Sequence, residues 1–319
     1  MRIPRTPYMA RLLGDQPSSL INYLNQHVEE AKKLTLYPFF FSNRNTFLYY
    51  NHRLRRSNDP VTGDPFKTGL PRFAKSDPAS VWDEMSRTFT KALTDGFNAG
   101  FGQLGKLGES VRQYLTGKGF SFLDIGWLET FLEATDYLDH DIGEIVLEDW
   151  IFGATTEWVG VEGGMSRLIE AIDQLVHNPV RFSQHVTAIS QETDDPKLKV
   201  TTVKGETHTY NHVINTIPLG AMQAIDMTSL ELGYVKDSAI RMVHYDQSVK
   251  IGLKFKTRWW QDGPNPIVGG SSRTDLPIRV CVYPSYGVNV KGAAAVLIAS
   301  YVSNVNLCNY FPHYNSDPR

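Results

Sequence analysis

At 319 residues and 36.0 kDa, with 41% hydrophobic and 12% aromatic residues, the chain can bury one or two substantial cores and reads as globular. A formal net charge of -2 supplies no field for nucleic acid, and no run of roughly 18 apolar residues is present to span a bilayer, which argues against both roles. Cys281 and Cys308 lack CxxC spacing, are too few for a disulfide framework and read as small buried hydrophobes, while MRIPRTPYMARL has no apolar signal-peptide region. In chain order, Pro17 to Lys33 is the first predicted helix, with Leu20, Ile21, Leu24 and Val28 on its inner face and Glu29, Lys32 and Lys33 outside. Leu36 to Leu54 is dense in aromatics and reads as strands turning at Asn51-His52. Ser57 to Ser76, rich in Pro, Gly, Asp and Asn, reads as a linker.

Asp77 then caps a helix with Pro78 in its first turn and Trp82, Met85, Phe89 and Leu93 on its buried face. Further helices are predicted over Glu109 to Leu115, Leu123 to Ala134 and Ile142 to Ile151. Asp136, Asp139, His140, Asp141, Glu144, Glu148 and Asp149 have neither HExxH nor EF-hand spacing, so they read as solvated acidic helix faces, not as a metal site. Gly163-Gly164 opens an amphipathic helix carrying Met165, Leu168, Ile169, Ile172, Leu175 and Val176 on one face. Phe182 to Ile189 is the next strand, Lys197 to Val203 and Thr207 to Thr209 pair around Lys204-Gly205-Glu206, and Val213 to Ile217 is a buried apolar strand. His208 and His212 have an i, i+4 spacing, but the hairpin scatters them, so no zinc pair is read there. In Val249 to Phe255 the apolar residues alternate with Lys250, Gly252 and Lys254, so a strand sends both lysines to the face opposite the core.

WVGVEGGMSRL (Trp158 to Leu168), HVTAI (His185 to Ile189) and VINTIPLGAM (Val213 to Met222) resemble successive signatures of the FAD-dependent amine oxidases. MRIP (Met1 to Pro4) is similar to a segment that runs beside the flavin ring in the L-amino acid oxidase branch. SVKIGLKF, Trp259-Trp260, TDLPIRVCVYP (Thr274 to Pro284) and VLIASY continue the likeness. The resemblance implies that Met1 and Arg2 border the cofactor and that Arg2 grips the substrate carboxylate. A guanidinium suits that task because its planar fork donates two parallel hydrogen bonds. Tyr301 would give the carboxylate a second partner, and Lys250 would hold a water at flavin N5. Gly163 and Gly164 would seat anionic cofactor groups at the positive end of a helix. Val186 and Thr216 would lie along the adenosine half of FAD. Some L-amino acid oxidases place a histidine as a candidate base where this chain has Glu148 or Asp149, so that role does not carry over.

The expected fold is α+β: a partial FAD/NAD(P)-binding, amine-oxidase-like domain over residues 158–243, a mixed-sheet substrate domain over 1–60 and 244–319, and a helical insertion over 61–157. The expected reaction is FAD-dependent oxidative deamination of an L-amino acid by oxygen, giving a 2-oxo acid, ammonia and hydrogen peroxide. A homodimer is left open, and no compartment is implied. No GxGxxG follows a first strand, and the segment that closes over the flavin ring is not found after Tyr301. The resemblance therefore implies an internal fragment that is inactive alone. Two readings stand beside it: a non-catalytic remnant that binds amino acids, and a flavin amino-acid 2-monooxygenase that yields an amide and carbon dioxide. A polyamine or monoamine oxidase is disfavoured, because Arg2 and Tyr301 would then meet no carboxylate.

Overall fold

The computed structural model describes residues 2–303 apart from 7, 8, 15, 17, 75, 133–136, 154–156, 244, 246, 247 and 291. Its elements run β1 (Ile3–Pro4), α1 (Ala10–Leu13), α2 (Leu20–His27), β2 (Leu36–Pro38), β3 (Phe47–Tyr50), β4 (Arg53–Arg56), α3 (Pro78–Asp95), α4 (Phe97–Leu104), α5 (Val111–Gly117), α6 (Phe122–Phe131), α7 (Ile142–Gly153), β5 (Trp158–Val161) and α8 (Ser166–Asp173). They continue with β6 (Val186–Gln191), β7 (Leu198–Thr202), β8 (Thr207–Tyr210), α9 (Leu219–Met222), α10 (Tyr234–Met242), β9 (Ser248–Phe255), β10 (Ser271–Thr274), β11 (Val280–Val282) and β12 (Ala295–Ser303). Residues Val176–Asp246 form one compact unit, and Met1–Leu175 with Gln247–Arg319 form the other. Cys308 lies outside the described residues.

The larger unit holds two sheets and a helical layer. In the first sheet, the apolar WVGV of β5 is buried at every position and pairs antiparallel with β1 (Ile3↔Val159) on one side and β2 (Tyr37↔Gly160) on the other. The Tyr37 ring lies over Gly160, where a Cβ would sit 2.3 Å from Tyr37 Cζ and would push the ring aside. Ile3, Leu24, Val159, Val161, Leu168 and Ala171 build the adjoining core. The second sheet has the order β4-β3-β10-β11-β12-β9 and is antiparallel except between β3 and β10. Asn51 and His52 both take positive φ, 48° and 59°, which suits a two-residue hairpin turn between β3 and β4.

Capping fixes where the helices begin. Asp77 accepts from the Ser80 backbone N–H ahead of Pro78, and Ser110 with Gln113 and Ser121 with Asp124 form reciprocal capping boxes on α5 and α6. Leu93, Leu104, Val111, Leu115, Leu128, Ile142 and Val146 are almost fully buried in the core between these helices. Tyr50, Phe66 and Phe131 join the β3 hairpin to α6, with Tyr50 edge-on to Phe66 at 5.2 Å and stacked on Phe131 at 5.3 Å.

Several expectations change. The helix predicted over Pro17 to Lys33 ends at His27, because the Asn25 side chain exchanges two hydrogen bonds with the Leu34 backbone (2.7 and 3.0 Å) and pulls the chain back. The predicted linker is pinned by Phe66 and Phe73, both buried. Helix α4 was hidden by its glycines, one of which it needs: a Cβ on Gly100 would lie 2.6 Å from the Ala92 carbonyl carbon on α3. Ile169 and Val176 are exposed and fall off the buried face of the α8 segment. In the smaller unit β6 pairs with β7, and β7 with β8, but β6 starts at Val186 and Phe182 is exposed. Residues 213–217 form no strand, and Ile214 is 90% exposed. No strand among the described residues supplies the ladder that a buried strand there requires. On β9, the last strand of this sheet among the described residues, Ile251 and Leu253 are exposed together with the lysines, so neither face of the strand is fully covered.

Candidate functional site

Strand β1 is short, but its pairing with β5 fixes the preceding residue, Arg2, against a ring cluster. The guanidinium carbon lies 4.9 Å from the Phe41 ring centre and 5.7 Å from each of Phe39, Phe152 and Trp158. Phe41 in turn stacks on Trp158 at 5.3 Å. Aromatic faces attract the cation and hold its plane, which orients the fork of donors. On the six-stranded sheet, β12 and β9 pair Tyr301 with Lys250, and the Lys250 ammonium lies 4.5 Å from the Tyr301 ring centre. Lys250 is exposed and Tyr301 half-buried.

Arg2 and Tyr301 line one cavity of about 340 Å³, together with Arg273 of β10 and with Trp82, Glu148 and Asp149 from the helical layer. A smaller recess of about 50 Å³ is bordered by Arg2, Arg273 and Tyr301 without the helical residues, so the cavity has a basic end. Lys250 meets this site through Tyr301, not as a lining residue.

The helical layer adds acidic groups to the same cavity. Burial pushes the Asp149 carboxyl up to about 6; the Trp82 indole N–H donated to it pulls the other way, and the charges of Glu148 and Asp83 add to the rise. Tyr137 donates its hydroxyl to Glu148 at 3.1 Å, and burial next to Asp149 and Glu148 raises its phenol well above the ordinary range. The solvated-face reading of this acidic stretch holds for Asp139, Asp141, Glu144 and Glu148, which are exposed, but fails for Asp149, which is half-buried. Asp136 lies outside the described residues. Sequence reasoning also missed Arg273, Trp82 and Tyr137. The available signal was α7 itself: IGEIVLEDWIFG is apolar nearly all round, the mark of a helix with little water-facing surface, so acids near its end are seldom idle.

The residues assigned to the cofactor differ in fit. Gly163 and Gly164 take φ of 76° and 96° in an exposed turn before α8, and a Cβ on Gly164 would meet nothing within 4 Å. An anionic group can therefore approach Gly164 without meeting a side chain, whereas the Arg167 side chain lies 3.1 Å from a Cβ placed on Gly163, and the Gly164 N–H itself is donated to Val161 O at 3.0 Å. Arg2, Tyr301 and Lys250 offer the polar groups a flavin and a carboxylate substrate need. Val186 opens β6 with a half-buried side chain, paired in register with Thr202. Thr216 is exposed in the unpaired 213–217 stretch, which does not fit the buried strand expected there. Met1 lies outside the described residues.

The profile of the family described as flavin containing amine oxidoreductase matches residues 16–313. The chain is 33% identical over 325 residues to a protein of Dictyostelium discoideum named as a bifunctional amine oxidase, covering 94% of this chain and 30% of that one. It is 34% identical over 262 residues to L-amino-acid oxidase 4 of Hebeloma cylindrosporum, covering 76% of this chain and 40% of that one. An L-amino-acid oxidase of Neurospora crassa is 25% identical over 319 residues, covering 90% of this chain and 44% of its own length. The chain thus spans less than half the length of these relatives. Among solved structures, wild-type putrescine oxidase bound to putrescine superposes with a TM-score of 0.63 at 14% identity, over 97% of this chain and 66% of that one. At that identity the likeness speaks for the fold alone.

Proposed function

The chain belongs to the flavin containing amine oxidoreductases, and on that premise we propose that its site oxidises an L-amino acid, with FAD as cofactor, to a 2-oxo acid, ammonia and hydrogen peroxide. The observation that carries the reading is the shared cavity of Arg2 and Tyr301, a planar cation and a phenol beside one another at its basic end. Such a pair suits a carboxylate, and a simple amine offers none. The L-amino-acid oxidases among the relatives support the same direction.

In this reading Arg2 takes the carboxylate through two parallel N–H donors, held in plane by Phe41 and its neighbouring rings. Tyr301 donates its hydroxyl to the same group. Fixing the carboxylate at two points sets the direction of the α C–H bond, which removes orientational freedom from the reaction. Lys250, lying over the Tyr301 ring at the sheet edge, supplies a positive charge and three donors to order water next to the substrate. The bound flavin supplies what no side chain can, an acceptor for the hydride and a route for its electrons to oxygen. Gly163 and Gly164 would serve the anionic part of that cofactor.

The test is product analysis with FAD supplied, over a panel of L-amino acids. A 2-oxo acid with peroxide, from the chain or from a longer protein that carries it, supports the oxidase. An amide with carbon dioxide would replace it with a 2-monooxygenase. A folded protein that binds amino acids but takes up no flavin in any form would make it a binding module.

A further inference from the structure

The acidic residues of the cavity lining are not accounted for by a carboxylate clamp. Helix α7 sets Glu148 and Asp149 side by side, one bonded by the Tyr137 hydroxyl and the other by the Trp82 indole. Among the described residues neither forms an ion pair, whereas Glu144 on the same helix pairs with His140. Asp83 adds its charge at Asp149, and Glu144 adds its own at Tyr137. A partly buried carboxylate such as Asp149, with no ion pair of its own among the described residues, destabilises the protein that carries it, and a cationic ligand removes that penalty when it binds. Glu148, exposed beside it, adds its charge. The cations that share the cavity, Arg2 and Arg273, also border the smaller recess, which Glu148 and Asp149 do not line.

We propose that this wall selects the substrate's side chain: the site takes an L-amino acid ending in a cation, of the lysine, ornithine or arginine kind. Its carboxylate lies toward Arg2 and Tyr301, and its distal cation toward Glu148 and Asp149. The proposal rests on the amino-acid reading above and adds a substrate class to it. A cavity of about 340 Å³ suits a single amino acid, near the lower end of the roughly 300–1,000 Å³ typical of ligand sites. Its lining carries both charges that such a molecule needs, the arginines for a carboxylate and the acids for an ammonium.

The test is calorimetric titration of the protein with L-lysine, Nε-acetyl-L-lysine and L-leucine. Acetylation keeps the length and removes only the distal charge. The proposal expects lysine to bind at least tenfold more tightly than either comparator, and the ratio to fall toward one in Glu148→Gln combined with Asp149→Asn. Glu148→Gln alone changes an exposed residue, so it tests the same ratio if the double variant does not fold. Leucine binding as tightly as lysine overturns this proposal and leaves the carboxylate clamp standing. Equal weakening of lysine and leucine in the variants overturns it too, because the acids would then serve the α-ammonium common to both. Binding of no amino acid at all overturns the clamp and this proposal together.

Discussion

Asp149→Asn should stabilise the protein at neutral pH while weakening the ligand preference that the carboxylate serves. The Asp149 carboxyl titrates at about 6 in the folded chain against an ordinary 3.8, chiefly because burial disfavours its charged form. A folded pKa above the unfolded one means that the folded state holds a proton the unfolded state has already lost. Stability therefore falls as pH rises through the window between those two values, and above about 6 the whole penalty is present. Two pKa units correspond to roughly 3 kcal/mol, and partial water access trims this to between about 1 and 3 kcal/mol. Asparagine never ionises, and its amide oxygen can still accept from the Trp82 indole. Urea unfolding should thus show Asp149→Asn more stable than wild type by about 1–3 kcal/mol at pH 7.5, with most of the difference gone at pH 4. A variant less stable than wild type at pH 7.5, or a difference that does not change with pH, would refute the claim that the carboxylate is held ionised at a cost.

Arg2→Lys keeps the charge and loses the fork, and should lower L-amino acid affinity by about ten- to a hundredfold in calorimetry. Tyr301→Phe removes one hydrogen bond and should weaken binding about two- to tenfold with no change in the unfolding midpoint. Gly100→Ala drives a Cβ into the α3 backbone and should lower unfolding free energy by about 1–3 kcal/mol. If lysine is the ligand, its binding should tighten between pH 5 and pH 7 as Asp149 ionises. The groups that bear on that ionisation are Trp82 and Asp83 of α3, Tyr137, and Glu148 of α7, and Arg2 and Arg273 line the same cavity. A binding constant flat over that range would count against it.

What was legible in the sequence was mostly local chemistry. Asp77-Pro78, Ser110 with Gln113 and Ser121 with Asp124 announce helix starts because a cap acts over three residues. Asn51-His52 announces a turn for the same reason. The end of α2 was not readable, since it depends on Asn25 reaching the Leu34 backbone. Residues 213–217 misled in the other direction: an apolar run proposes a strand, but only a neighbouring strand can complete its backbone bonding. At the site, the family likeness singled out Arg2, Lys250 and Tyr301, and two of these line one cavity while the third packs on it. Trp82 and Asp149 are separated by 67 positions, and nothing local links them. Their contact exists only because α3 and α7 share a core, so it could be found only in the fold.

The carboxylate clamp is tested most directly by titrating the protein with L-leucine and with isoamylamine, which differ only in the carboxylate. The account predicts that leucine binds, that the amine does not, and that Arg2→Lys abolishes most of the difference. Isoamylamine binding as tightly as leucine would contradict it.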